Sequence, residues 1–337
     1  MFVIGVSLLS CNSEKLIKNV SDGWQVMIAV KTPNPALMIY DYPSGTVVSN
    51  DVYLQNNGES LKYCPDKMAE YAKSIFLIFT EAQKLLILEA GTYKKQTEID
   101  FAPLNKSPLS MCFANPTTAY LIYKNDSIVD VFDLTVNRIT QSIPIGKITT
   151  AMACYDNQIV IANGPNDAVT IIDTRDNSVK GSISVEPYPC LVEFTADGVK
   201  AIIISAGRGK FDSTAQTNAV AQTIDYSQLI ALEKVDLGMG IVKPIEQIPQ
   251  SIASNAKVYT YVGTQKFLLK YITRTGTQIS RVDNGNYLSV IYNPKRDEMI
   301  YLKQSGNTIQ LRTADPYSSE VKATYSIPSG YVSLLPL

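Results

Sequence analysis

The chain has 337 residues, 45% of them hydrophobic, enough for a sizeable core in one large domain or two ordinary ones. Lys and Arg total 30 against 31 Asp and Glu, a net charge of -1, which leaves no basic field for nucleic acid or an anionic membrane surface. With no histidine, the sequence also lacks the commonest general base and metal ligand, which counts against most acid–base and metal chemistry.

Phe2 to Leu9 is an apolar run too short to span a bilayer but suited to the h-region of an export signal. It ends in Leu8-Leu9-Ser10-Cys11, directly before a polar segment. That arrangement resembles the bacterial lipobox, which implies that residues 1–11 are an export signal, that Cys11 is the lipidated residue and that 12–25 form a tether. A buried first strand ending in cysteine is the competing reading. Beyond Cys11 no apolar run approaches the roughly 18 residues of a spanning helix.

From Val26 onward one pattern recurs: a β run, a polar loop, a second β run closing near an acidic residue, a turn, and a third β run. The copies start at Val26, Ile75, Ala119, Ile159, Ala201, Val258 and Met299. The residues closing the second run are Asp41, Glu89, Asp133, Asp173, Asp225, Ile272 and Thr313, at successive steps of 48, 44, 40, 52, 47 and 41. A period of about 40–50 residues with four strands per unit predicts a seven-bladed β-propeller over 26–337, all-β, with antiparallel blades. The fourth, innermost strand precedes each unit, as SLKYCPD (from Ser60), LSMCFANP, AMACYDN, CLVEFTADG, SIASNA and LSVIYNP. The longest stretch open to a helix, DKMAEYAKSIFLI from Asp66, is short and runs straight into a β-rich repeat.

The first unit lacks an inner strand, and the C-terminal SGYVSLLPL matches GNYLSVIYNP almost position for position. The last strand is therefore expected to cross the gap and close the ring, with Leu16–Val20 as the competing closer. Cys64, Cys112, Cys154 and Cys190 lie in apolar runs and read as small buried hydrophobes rather than a disulfide framework. None of the five cysteines has metal-like spacing.

The unit YLIYKNDSIVDVFDLTVNRITQSIPIG, from Tyr120, resembles the YVTN family of bacterial surface propellers through Ile128–Asp133, Asn137-Arg138 and Ile143-Pro144-Ile145-Gly146. Val169–Asp173 and Asn177 repeat the match, which weakens where Ile272 and Thr313 replace the Asp. The resemblance implies a seven-bladed, exported, mostly non-enzymatic scaffold for binding or assembly.

Catalytic motifs are absent. Lactonase-like and copper propellers need histidine, no sialidase-type Asp box surrounds Trp24, and SAGRGKF at Ser205 lacks phosphate-loop spacing. Paired carboxylates for a carbohydrate hydrolase or lyase are the one enzymatic option left open. Binding is the better expectation. The loops gathered at one channel mouth carry amides, tyrosines and cations, with Asn166, Tyr188, Arg208, Lys210, Asn284 and Asn286 as the candidate contacts. Two of these loops are long, Ser205–Asn218 and Gly238–Gln250. The expected protein is a non-catalytic, cofactor-free, lipid-anchored envelope component that binds protein partners. The alternative is a surface glycan-binding protein.

Overall fold

In the computed structural model the described residues are 25–31, 34–195, 197–208, 217–237, 249–255, 259–272, 277–327 and 330–337. Cys11, residues 12–24 of the expected tether (Trp24 among them) and Lys210 lie outside them, and Gln25 opens the first strand. The strands form seven four-stranded antiparallel sheets. From the channel outward, blade 1 is β28 (Tyr331–Pro336), β1 (Gln25–Val30), β2 (Ala36–Asp41) and β3 (Thr46–Ser49). Blade 2 is β4 (Lys67–Tyr71), β5 (Ser74–Phe79), β6 (Lys84–Glu89) and β7 (Lys95–Asp100). Blade 3 is β8 (Pro108–Asn115), β9 (Thr118–Tyr123), β10 (Ile128–Asp133) and β11 (Arg138–Pro144). Blade 4 is β12 (Ala151–Tyr155), β13 (Gln158–Asn163), β14 (Ala168–Asp173) and β15 (Ser178–Ser184). Blade 5 is β16 (Pro189–Phe194), β17 (Ala201–Ser205), β18 (Val220–Asp225) and β19 (Ile230–Asp236). Blade 6 is β20 (Pro249–Ser254), β21 (Tyr259–Thr264), β22 (Phe267–Ile272) and β23 (Thr277–Asn284). Blade 7 is β24 (Asn286–Asn293), β25 (Glu298–Ser305), β26 (Thr308–Ala314) and β27 (Val321–Ile327).

The ring closes as expected at the C-terminus. β28 pairs antiparallel with β1 as the inner strand of blade 1, and the seven inner strands touch in succession around the channel. The second and third strand of each blade are apolar on both sides because each blade is covered by two neighbours. Seven apolar clusters result, one at each seam between blades, in place of a single central core.

The acidic residue that punctuates each repeat has a local job. Asp133, Asp173, Asp225 and, in blade 7, Asp315 accept backbone N–H bonds from the turn that follows, and Asp41 does the same for Ser44. Asp and Asn favour such Asx turns because the short side chain reaches its own backbone two residues on. In every blade the register slips once or more between the third and outermost strand, a bulge that adds right-handed twist at the rim. In the seventh repeat the capping carboxylate is Asp315, two residues beyond Thr313.

Two expectations are corrected. The inner strand of blade 2 is Lys67–Tyr71, not Ser60–Asp66, so DKMAEYAKSIFLI is two strands. The displacement comes from helix α1 (Val52–Asn57), inserted between blades 1 and 2, where Asp51 caps Leu54 N–H at 3.1 Å and Gly58 ends it at φ 71°. The second correction concerns the cysteines. Cys112 on β8 and Cys154 on β12 form a disulfide with Cα atoms 5.7 Å apart, because a separation of 42 residues is one blade step and brings equivalent inner-strand positions side by side. Cys64 and Cys190 are half-buried and take no part in this bridge, and Cys190 Sγ donates to Ile204 O at 3.4 Å.

Closing a 42-residue span constrains the unfolded chain. Reduction, or a Cys112→Ser/Cys154→Ser double variant, is expected to lower stability by about 2–4 kcal/mol, read as the midpoint of urea unfolding with and without reductant.

Candidate functional site

Antiparallel blades give the molecule two unlike ends. At one, the loop end, the chain enters each inner strand. At the other, the turn end, inner strands finish and the Asx turns lie.

The residues expected to bind sit at the loop end, in two groups. In the first, Asp167 draws three of them together: it follows the short 3-10 turn Gly164–Asn166, its carboxylate accepts the Tyr188 backbone N–H at 3.0 Å, and it pairs with the Arg208 guanidinium. Arg208 is held at the neck of its loop, where its N–H donates to Thr217 Oγ1 at 2.7 Å. Gly207 before it has φ +77°, and a Cβ there would meet Thr217 O at 2.4 Å, so only glycine closes this neck. Burial raises the Tyr188 hydroxyl above its ordinary value.

The second group surrounds Asp283. Its Oδ2 accepts from Lys303 Nζ and Arg312 Nη1, each at 2.8 Å, and from the Tyr287 hydroxyl. Burial opposes ionisation of Asp283, and the Lys303 ammonium and Tyr287 hydroxyl outweigh it, holding the carboxyl below its usual range. Asn284 N–H donates to Asp283 Oδ1 at 2.7 Å, and Asn286 Nδ2 donates to Gln304 Oε1 at 2.9 Å. The structure thus gathers Asn166, Tyr188 and Arg208 near Asp167, and Asn284 and Asn286 near Asp283. Arg208, Asn284 and Asn286 serve these internal bonds.

Two recesses formed by the described residues lie at the opposite, turn end. One, of about 450 Å³, is lined by Glu70, Tyr71, Tyr292, Lys295 and Leu337 among others, where blades 7, 1 and 2 meet the channel. The other, of about 360 Å³, is lined by Ala153–Tyr155, Glu193–Thr195, Ser254, Asn255 and Tyr292, across blades 4 to 7. Tyr292 belongs to both, so the two adjoin around one mouth. Inner strands repeatedly end in an aromatic, and these rings build the walls. Tyr71 stacks on Phe113 at 4.5 Å, and Tyr155 lies 5.6 Å from Phe194. Tyr292 donates its hydroxyl to Asp297 at 2.8 Å, which fixes its ring. Gly198, at φ +65°, lets the Tyr155 ring cover the turn of blade 5, since a Cβ there would fall 1.8 Å from that ring. At this end Val136, Val179, Val199 and Ile230, on blades 3 to 5, are 43–55% exposed.

Glu193 is the unusual member. Strand alternation puts it on the side of β16 shared with Leu191, which packs at the seam with blade 6. Its carboxyl makes no hydrogen bond or ion pair among the described residues. Burial pushes it from 4.5 up to about 7.

A carboxyl whose folded-state value is raised binds its proton more tightly folded than unfolded. Its neutral form fits the fold at low pH, and stability is lost as pH rises from 4.5 through about 7. The loss relative to Glu193→Gln is expected to reach up to about 3 kcal/mol, measured by urea unfolding of both proteins at pH 5 and pH 8. Parallel profiles would refute it.

No protein-family model matches the chain, and no curated protein matches it. Solved structures do. The β-propeller domain of Cps50 (Swd1) from Myceliophteria thermophila superposes with a TM-score of 0.63 at 12% identity, over 86% of this chain and 92% of that one. U3-55K superposes with a TM-score of 0.64 at 12% identity, over 82% of this chain and 84% of its own. At that identity what is shared is the fold: this chain is a seven-bladed β-propeller.

Proposed function

We propose that the protein is an exported, lipid-anchored propeller of the bacterial envelope that binds partner proteins and does no catalysis. The observation that carries this reading is the turn-end mouth, where two adjoining recesses with aromatic walls are flanked by exposed apolar residues of blades 3 to 5. Interface centres favour tyrosine and phenylalanine because these rings bury much area at little entropic cost. Three further features support it. Leu8-Leu9-Ser10-Cys11 has the lipobox form. The Cys112–Cys154 bridge suits an oxidising compartment. The YVTN-like repeats point to a surface scaffold.

The test places a photo-crosslinking amino acid at position 155, at the turn end, or at position 284, at the loop end, in cells. A discrete crosslinked partner from position 155 but not 284, lost together with membrane fractionation in Cys11→Ser, is the expected result. Crosslinks at neither position, with the protein soluble whether or not Cys11 is present, would sink the reading.

A further inference from the structure

Among the described residues, the lining of the smaller recess has one carboxylate and no lysine or arginine. Its other polar side chains are mostly occupied. Ser254 Oγ is 2.7 Å from Thr260 Oγ1, Asn255 Oδ1 accepts from Tyr259 N–H at 2.8 Å, and Asn255 Nδ2 donates to Pro316 O at 3.4 Å. Thr195 Oγ1 donates to Asp197 at 2.6 Å and accepts the Lys200 N–H at 3.1 Å. Glu193 is the charged group left without a partner among the described residues, and Tyr155, Phe194 and Tyr292 line the same recess.

We propose that this recess takes a primary alkylammonium group, the side-chain amine of a lysine presented by the partner protein, with its charge on Glu193 and its methylenes against Tyr155, Phe194 and Tyr292. The inference rests on the reading of the turn end as the partner-binding face and names what that face recognises. Three physical arguments support it. A desolvated carboxylate gains most from a ligand that supplies the missing opposite charge. Aromatic faces attract a cation and cover its apolar stem at once. A compact ammonium needs only one charged acceptor, and Glu193 is the one this lining supplies. The raised proton affinity of Glu193 is what an acid awaiting a cation shows.

The test uses the full chain at pH 8 and follows chemical shifts of labelled glutamate and tyrosine while adding n-butylammonium chloride, or n-butanol as its neutral counterpart. The ammonium is expected to shift Glu193 and Tyr155 saturably and to bind at least tenfold more tightly than the alcohol. Glu193→Gln should weaken it at least tenfold and Tyr292→Leu at least threefold, with both variants retaining a cooperative melt. Equal binding of alcohol and ammonium, no binding of either, or unchanged affinity in Glu193→Gln would overturn the proposal, as would a methyl glucoside that binds equally well to both proteins. If Glu193→Gln still gives the crosslink from position 155, the ammonium site is wrong and the partner-binding face stands. Ammonium binding without any crosslink would have the opposite meaning.

Discussion

Deleting residues 331–337 is expected to leave a chain that does not fold cooperatively. The strand they form is the inner strand of blade 1, paired with β1 from Val26↔Pro336 to Val30↔Tyr331. Its leucines serve two seams at once: Leu334 packs into the cluster shared by blades 1 and 7, and Leu335 and Leu337 into that shared by blades 1 and 2. Ser333 adds a hydrogen bond to Pro65 O at 3.0 Å, ahead of blade 2. Each buried leucine lost costs about 2–5 kcal/mol, so the three together cost roughly 6–15 kcal/mol. That equals the whole stability of an ordinary domain, about 5–15 kcal/mol. Calorimetry should show no unfolding peak and limited proteolysis should degrade the truncated chain, while a synthetic peptide of residues 330–337 should restore both. A truncated protein that melts like the parent would mean that the ring is held by other means.

The second large effect is expected at Asp130, in the third strand of blade 3. It is fully buried, and its carboxylate accepts from Lys106 Nζ at 2.5 Å, the Tyr123 hydroxyl at 2.7 Å and Ser142 Oγ at 2.6 Å. Lys106 belongs to the connection between blades 2 and 3, so this contact ties a connecting loop to the third strand of the blade it enters. Lys106 Nζ also lies 4.7 Å from the Tyr123 ring. Burial and the Asp130 carboxylate together raise the Tyr123 hydroxyl far above its ordinary value. Asp130→Ala leaves an ammonium and a phenol without an acceptor and is expected to cost about 3–5 kcal/mol. Asp130→Asn should cost less, because an amide oxygen still accepts. Lys106→Met combined with Asp130→Leu should recover most of the loss, since the penalty belongs to the abandoned charge rather than to the pair. Urea unfolding of the four proteins measures this, and a loss below about 1 kcal/mol in Asp130→Ala would show that Lys106 reaches water unaided.

The repeat was legible because each turn needs the same capping chemistry, and Asp133, Asp173 and Asp225 mark it at a regular step. Closure was legible as well, since Leu334 and Leu335 occupy positions that Val290 and Ile291 fill in a neighbouring inner strand. The helix at Val52–Asn57 carried visible signals in Asp51 and Gly58, but an isolated two-turn element is weak against a strong β period. The disulfide was legible only once a separation of 42 residues is set beside the blade step, because pairing depends on which strands become neighbours. The turn-end mouth was the least visible part. Tyr155, Phe194 and Tyr292 read as ends of apolar strands, and only the closed ring turns those ends into walls. The one local signal was Glu193, a charge inside the otherwise apolar CLVEF.

The strand that shuts the ring follows every other strand in chain order and leaves the ribosome after them. Until it arrives, β1 offers a bare backbone ladder and blade 7 an uncovered apolar flank, both ready to recruit a stranger. Blades 2 to 6 lean on neighbours already present, and the bridge between Cys112 and Cys154 ties two of them together. A chain interrupted before that strand would therefore carry an adhesive gap at a fixed place, so quality control has one seam to inspect.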